Sequence, residues 1–302
     1  MARFGAVVTA MVTPFHPSGA LDLDAAAELA RHLVDTGSDG LVVAGSTGEG
    51  SVLSDDEKLD LFRAVAEAVT VPVLAATGSN DTAHSVNLTR SAAECGVDGM
   101  LVVTPYYNRP SPAGIAAHFE AVAAATDLPV VLYDIPVRAG RRIGTDLLAR
   151  LGTEVTNIVG VKDATGDVAA AAELVAHHID GFEVYAGDDP MTLPFLAIGG
   201  VGIISVAAHW AGPALAALVA AFAAGDLEGA RTANEHLLAS YAFESTPDYP
   251  NPVPAKAACR ALGLPVGQCR LPNPEAPRVL EEEASDIISR LERFAPASRS
   301  VA

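Results

Sequence analysis

Cysteine is scarce in this 302-residue chain, and its few cysteines form no recognisable pattern. There are three, which is an odd number, and no two stand in a CxxC pair: Cys95, Cys259 and Cys269. A disulfide framework needs an even set and a cysteine zinc site needs closely spaced pairs, so neither is expected. The histidines also lack the spacing of a metal motif, and we expect no metal. Reduced thiols indicate a cytoplasmic protein.

Positive charge is scarce as well. The chain has 19 lysines and arginines against 37 acidic residues, a formal net charge of −18. Such a surface repels phosphate groups, so we expect no nucleic-acid partner and no membrane partner. The apolar run near the first residue is broken by Thr9, Thr13 and Pro14. It is too short to cross a bilayer and predicts a strand rather than a signal peptide.

Short apolar segments alternate with alanine-rich segments of helical periodicity along most of the chain. The predicted strands are residues 6–13, 40–45, 71–77, 99–105, 129–135, 158–164, 182–187 and 202–207. The predicted helices are residues 23–36, 54–68, 81–94, 112–125, 145–151, 167–178, 189–198 and 213–224. Wholly apolar strands are typical of a parallel sheet covered on both faces. Eight such units predict an α/β fold, the (β/α)8 TIM barrel. A doubly wound open sheet is the alternative, but the glycine-rich turn that normally follows its first strand is absent.

The barrel is predicted to occupy residues 1–225, and a C-terminal helical region to occupy residues 226–302. In that region we expect helices at 226–243 and 255–262 and a last helix that ends near residue 294, joined by proline-rich connections. The region is expected to pack on the barrel or on a neighbouring subunit. The last five residues are expected to fray.

Lysine is the rarest charged residue, with three copies, and only Lys162 ends a buried strand. An amine in a low-dielectric pocket loses affinity for its proton because its charged form is poorly solvated. A neutral amine attacks carbonyl carbon and forms a Schiff base. The alternative is a lysine that pairs with Asp163 or with an acid on a neighbouring strand.

Other reactive side chains follow the predicted strands, where barrel enzymes form their active sites. The segments are GSTGEG (45–50), TPYYNRP (104–110), YDIPVRAG (133–140), AGDD (186–189) and GIIS (202–205). Together with the amine they supply phenols and hydroxyls, which move protons, and a guanidinium, which holds a carboxylate at two points. That set is suited to carbonyl condensation. The first four segments also have a structural explanation: an ordinary glycine turn, a packed or subunit-contacting tyrosine, a surface arginine, or a helix cap at Asp188 and Asp189.

These segments, with GVKDATG around Lys162, occur in the order found in one known family. The chain resembles the dihydrodipicolinate synthase / N-acetylneuraminate lyase family of class I aldolases, over about residues 5–271. NPVPAKAA (251–258) also matches the tail helices of that family. The resemblance implies a Schiff-base enzyme that condenses pyruvate with L-aspartate-4-semialdehyde in lysine biosynthesis. Because the imine forms on a lysine, no cofactor is implied.

The resemblance also implies a role for each matching residue. Lys162 would form the imine, and Tyr133 would donate and accept protons in a relay with Ser46 and Tyr107. Tyr107 would come from the adjacent subunit of a homotetramer, built as a dimer of dimers. The substrate-binding residues would be Thr47 at the pyruvate carboxylate, Ile204 through its carbonyl, Arg138 at the carboxylate of the second substrate, and Gly187.

The chain departs from the family pattern at several positions. Ser46 replaces a common threonine, and serine is the form found in neuraminate lyases, whereas Arg138 is typical of the synthases. Synthases that lysine inhibits carry Ser, His and Glu at the positions of Gly50, Asp55 and His84, so we expect weak or absent lysine feedback. Two other functions stay open. One is a related pyruvate-dependent aldolase, of the N-acetylneuraminate lyase or keto-deoxy sugar acid type, and the other is a barrel that binds a keto acid without turnover.

Overall fold

Eight parallel strands close into a barrel in a computed structural model that describes residues 2–294. Each strand pairs with its neighbours in the sequence, and the last pairs with the first. The strands are β1 Val7–Ala10, β2 Gly40–Val43, β3 Val73–Ala76, β4 Gly99–Val103, β5 Val130–Asp134, β6 Ile158–Asp163, β7 Glu183–Ala186 and β8 Gly202–Ser205. The predicted TIM barrel is confirmed, but the strands end one to three residues before the predicted ends. The predicted fraying of residues 298–302 lies outside the described residues.

Helices surround the barrel. They are α1 Leu23–Asp35, α2 Asp55–Ala68, α3 Thr82–Ala93, α4 Pro112–Ala123, α5 Pro136–Ala139, α6 Thr145–Glu154, α7 Val168–Ala176, α8 Thr192–Ala197 and α9 Ala208–Ala223. Two predictions are corrected. The helix predicted at 189–198 is a 3-10 turn, Asp189–Met191, followed by α8. The helix predicted to begin at Pro213 begins at Ala208 and continues through a kink at Ala211.

Capping side chains fix several helix starts. Ser54 accepts a hydrogen bond from the backbone N–H of Glu57, and the Glu57 carboxylate accepts one from the N–H of Ser54. This reciprocal pair satisfies two donors that would otherwise lack a partner at the helix start. At the starts of α1, α3 and α7 an aspartate side chain accepts hydrogen bonds from first-turn backbone N–H groups. Ser54 and Glu57 thus form a capping box that fixes the start of α2.

The hydrophobic core has two parts. The smaller part contains at least one residue of every strand and fills the barrel interior, with Tyr133, Tyr185 and Ile204 among its members. The larger part lies between the strands and the helices, and it continues into three C-terminal helices: α10 Leu227–Phe243, α11 Val253–Ala261 and α12 Arg278–Phe294. Because one core crosses residue 225, the C-terminal helices support the barrel wall. The division at that residue stays a prediction.

All three cysteines are free thiols, as predicted, and Cys95 and Cys259 are buried. Within residues 2–294 no group of histidine, cysteine and acidic side chains is arranged to hold a metal ion. None of the helices described is long and apolar enough to span a membrane.

Candidate active site

Lys162 lies at the carboxyl end of β6 with its side chain inside the barrel mouth. It is 3% exposed, and its Nζ lies 4.6 Å from the centre of the Tyr133 ring. Its register partners are Tyr133 on β5 and Tyr185 on β7. The part of the chain described shows no ion pair to Lys162, and the Asp163 carboxylate accepts the N–H of Thr165 at 2.8 Å. The amine is therefore available for chemistry.

Burial is the main cause that shifts the pKa of Lys162, since the charged amine is poorly solvated inside the barrel. It lowers the pKa from 10.5 to about 8, against the opposing charge of Asp189. The positive charge of Arg138 lowers the pKa further. A sizeable fraction of the amine is consequently neutral near neutral pH, as a nucleophile toward a ketone requires.

Gly187 makes room for the stem of this lysine. A Cβ at that position would lie 2.9 Å from Cγ of Lys162 and 3.0 Å from the backbone N of Ala164. The N–H of Gly187 donates to the carbonyl of Asp163 at 2.7 Å, which continues the pairing of β6 with β7. Gly187 was predicted as a substrate-binding residue, and its contact with the lysine stem is a further reason for glycine there.

Tyr133 is the buried phenol next to the amine. Burial raises its pKa to about 12, while Arg138 and the Ser46 hydroxyl act in the opposite direction. The phenol therefore keeps its proton at neutral pH and is suited to donate it. The structure brings together three of the four predicted catalytic residues in one chain: Lys162, Tyr133 and Ser46.

The loop that follows β2 carries Ser46 and Thr47. Thr47 is buried, and its Oγ1 accepts a hydrogen bond from Nδ2 of Asn251 at 2.9 Å. Asn251 also accepts, through its backbone carbonyl, a hydrogen bond from Arg138 at 3.3 Å. Asn251 thus connects two predicted substrate-binding residues. Sequence reasoning assigned it no role, although the NPVPAKAA match contained it.

A cleft of about 680 Å³ runs along this rim, and Ser46, Tyr133, Arg138 and Asn251 line it. Arg138 lies on α5 with its side chain exposed beside the cleft. The three positions compared for lysine feedback, Gly50, Asp55 and His84, line the same cleft. His84 Nε2 lies 2.8 Å from a carboxylate oxygen of Asp55, so those two side chains pair with each other.

Tyr107 does not line the cleft in its own chain. It is 89% exposed, and its backbone adopts the left-handed conformation, with φ 70°. Non-glycine residues adopt this conformation at a cost, often at functional sites. The predicted contribution of Tyr107 to an adjacent subunit stays a prediction.

Asp189 holds the end of β8 rather than capping a helix, so the capping interpretation is wrong. One of its carboxylate oxygens accepts from the Ser205 hydroxyl and the other from the N–H of Val206 at 2.8 Å. Ile204 precedes this turn, is buried and faces the barrel interior. Near Asp189 lies the buried Glu244, from the end of α10. Burial first, and the charge of Asp189 second, raise its pKa to about 11, which favours its neutral form. No pattern in the sequence pointed to Glu244.

A closed (β/α)8 barrel whose sixth strand ends in a buried lysine beside a buried phenol defines the class of Schiff-base barrels. Comparison with known proteins gives the particular family. The chain belongs to the dihydrodipicolinate synthetase family, whose model matches residues 3–291.

Known relatives agree in sequence and in structure. The 4-hydroxy-tetrahydrodipicolinate synthase of Moorella thermoacetica is 50% identical over 283 residues, which are 93% of this chain and 96% of that protein. The crystal structure of a dihydrodipicolinate synthase from Bacillus anthracis has a TM-score of 0.91 and 40% identity, and covers 98% of this chain and 100% of its own. The synthase of Cyanidioschyzon merolae, solved with lysine bound, has a TM-score of 0.92 and 39% identity, with coverage of 97% and 99%.

Proposed function

We propose that this chain acts as a 4-hydroxy-tetrahydrodipicolinate synthase, a lyase that condenses pyruvate with L-aspartate-4-semialdehyde in lysine biosynthesis. The observation that carries the proposal is the buried amine of Lys162, 4.6 Å from the ring centre of Tyr133, with its pKa lowered to about 8. The names of the relatives support the same reaction. No comparison favours the related aldolases or a non-catalytic barrel.

The first half of the reaction uses pyruvate alone. The neutral amine of Lys162 attacks the ketone carbon, water leaves, and an imine remains. Loss of a methyl proton then gives an enamine, so the imine supplies the electron sink and the reaction needs no cofactor. Thr47, buried at the mouth beside Asn251, holds the pyruvate carboxylate through its hydroxyl and backbone N–H.

The second half joins the two substrates. The enamine carbon attacks the aldehyde carbon of L-aspartate-4-semialdehyde, whose carboxylate binds Arg138 at the edge of the cleft. Tyr133, Ser46 and Tyr107 transfer protons at each step. Cyclisation releases the lysine. Ile204 contributes its backbone carbonyl beside the bound keto acid, and Gly187 borders the site.

A coupled assay tests the choice of second substrate. Pyruvate consumption with L-aspartate-4-semialdehyde and cleavage of N-acetylneuraminate are measured on the same preparation. Product from the semialdehyde with no cleavage of the sugar acid supports the proposal. The reverse result would assign the chain to the aldolases that cleave sugar acids.

The active unit is a homotetramer, a dimer of dimers in which each Tyr107 enters the site of a neighbour. The exposure of Tyr107 in its own chain supports this assembly. Mixing a Tyr107→Phe variant with a Lys162→Ala variant tests it. Each is inactive alone, but a mixed dimer has one complete site, so random mixing restores about one quarter of the wild-type sites. No restoration on mixing would place Tyr107 outside its neighbour's site. Light scattering should give four times the 30.9 kDa chain mass.

We also expect weak or absent inhibition by lysine. The cleft offers Gly50 and a mutually paired Asp55 and His84 where lysine-inhibited synthases carry Ser, His and Glu. Initial rates measured with rising lysine test this expectation, and inhibition at sub-millimolar lysine would contradict it. A cytoplasmic location is proposed as well, and the free thiols of the three cysteines support it.

A further inference from the structure

A second buried lysine lies behind the active-site loop. Lys256, on α11, is 0% exposed, and its Nζ lies 2.7 Å from Oε1 of Glu49, whose side chain is 1% exposed. Glu49 stands three residues after Ser46, in the loop that follows β2. The proposed reaction uses neither residue. An ion pair buried this completely is seldom a stabilising device by itself, because desolvation of both charges offsets their attraction. Its presence therefore calls for another explanation.

Fixed neighbours satisfy both charges. The Lys256 ammonium donates to the carbonyl of Gln268 at 2.9 Å and lies 4.2 Å from the centre of the Phe15 ring. The second carboxylate oxygen of Glu49 accepts the backbone N–H of Arg270 at 2.8 Å. The partners from the C-terminal region, the carbonyl of Gln268 and the N–H of Arg270, thus hold the ion pair in place. The position of Glu49 is fixed as a result.

The loop is a tight turn that depends on this fixed point. The N–H of Glu49 donates to the carbonyl of Ser46 at 3.2 Å, and the N–H of Gly50 donates to that of Gly45 at 3.0 Å. Glu49 has φ 55°, a left-handed conformation that costs a non-glycine residue about 1 kcal/mol. Such a conformation persists where the surroundings over-determine it. The turn contains both Ser46 and Thr47, so its shape sets where their hydroxyls point.

The geometry points to the Glu49–Lys256 pair as a positioning device for residues 45–50. We infer that it fixes the turn so that Thr47 meets the pyruvate carboxylate and Ser46 meets Tyr133. The C-terminal region is then part of the apparatus that recognises the keto acid, because Asn251 from the same segment also binds Thr47. This inference rests on the proposed function.

The test measures pyruvate dependence of adduct formation in a Lys256→Met variant. Wild type and variant are incubated with pyruvate and cyanoborohydride, and the rate of adduct formation on Lys162 is followed by mass spectrometry. The half-saturating pyruvate concentration should rise about tenfold or more, because a displaced carboxylate site weakens binding and orientation. The rate at saturating pyruvate should fall by a smaller factor than half-saturation rises, since the turn carries Ser46 but not Lys162 or Tyr133.

Arg260→Met is the matched control. Arg260 lies on the same helix, and its partners, the Glu281 carboxylate and the carbonyl of Gly267, both at 2.7 Å, lie outside residues 45–50. The Arg260→Met substitution should lower the melting temperature but leave the half-saturating pyruvate concentration within about twofold of wild type. An equal rise in both variants, or an unchanged value in a folded Lys256→Met protein, would mean that the pair only supports the fold and would overturn the inference.

A double variant keeps the test decisive if Lys256→Met fails to fold. Glu49→Gln combined with Lys256→Met leaves no unpaired buried charge, and such replacements are often neutral for stability. The half-saturating pyruvate concentration should rise about fivefold or more in the folded double variant, because the ion pair that fixes the turn is lost. A wild-type value there would overturn the inference. Wild-type protein that forms no adduct would instead refute the proposed function, and this inference with it.

Discussion

The buried amine of Lys162 predicts how fast the imine forms at each pH. With the ordinary pKa of 10.5, about 0.03% of the amine would be neutral at pH 7. With the pKa at about 8, roughly 10% is neutral, a gain of about 300-fold in the reactive form. Because burial lowers this pKa, the rate should rise tenfold per pH unit below pH 8 and level off above it.

The assay follows adduct formation with a fixed, limiting pyruvate concentration and cyanoborohydride between pH 6 and pH 10. A Glu244→Gln variant provides the charge control. Burial and the charge of Asp189 raise the pKa of Glu244 to about 11, which favours its neutral form, so an uncharged isostere should leave the inflection in place. A wild-type rate that still rises tenfold per pH unit between pH 8 and pH 10 would refute the burial argument. A fall of about one unit in the variant would show that Glu244 carries a charge near the amine.

Three further outcomes are expected. Gly187→Ala places a Cβ 2.9 Å from Cγ of Lys162, an overpacking that costs about 1–3 kcal/mol. The lysine stem should be displaced and adduct formation should slow about tenfold or more, and an unchanged trapping rate would contradict this. Arg138→Ala should leave trapping with pyruvate intact and raise the KM for the semialdehyde, because the side chain lies at the edge of the cleft; equal loss in both measurements would contradict its assigned role. His209 is buried, with Nε2 accepting the N–H of Val12, and burial lowers its pKa to about 4. As the pH falls below 6.5, His209 is therefore protonated in the unfolded chain before it is protonated in the folded protein. The stability that the neutral, buried His209 contributes is lost as the pH falls toward 4. Urea denaturation should show His209→Gln losing about 2 kcal/mol less than wild type between pH 7 and pH 5, and equal losses would contradict the shift.

The barrel could be predicted because its signals are local. Alternating apolar and alanine-rich segments, a capping box at Ser54, and the position of Lys162 at the end of an apolar run all lie within short windows of sequence. The sequence predicts each strand end one to three residues too late, because the residues after each strand are apolar or small yet turn into the rim loops. Ala44, at φ 56°, is one such residue.

The remaining parts of the site come from residues distant in the sequence. Asn251 binds Thr47 across 204 positions, and Arg270 binds Glu49 across 221. No periodicity or motif spacing reports such contacts, so the sequence alone predicts only a packing role for the C-terminal region. The interpretation of Asp189 as a cap was wrong for the same reason, since its partners lie sixteen or more positions later, on β8 and the turn after it.

The most direct test is the identity of the residue that captures pyruvate. The protein is incubated with pyruvate and borohydride, digested, and mapped by mass spectrometry over its three lysines. The reduced adduct should lie on Lys162 alone, and a Lys162→Ala variant should carry none. An unmodified Lys162, or an equal adduct on Lys58, would contradict the central claim that this buried amine is the nucleophile.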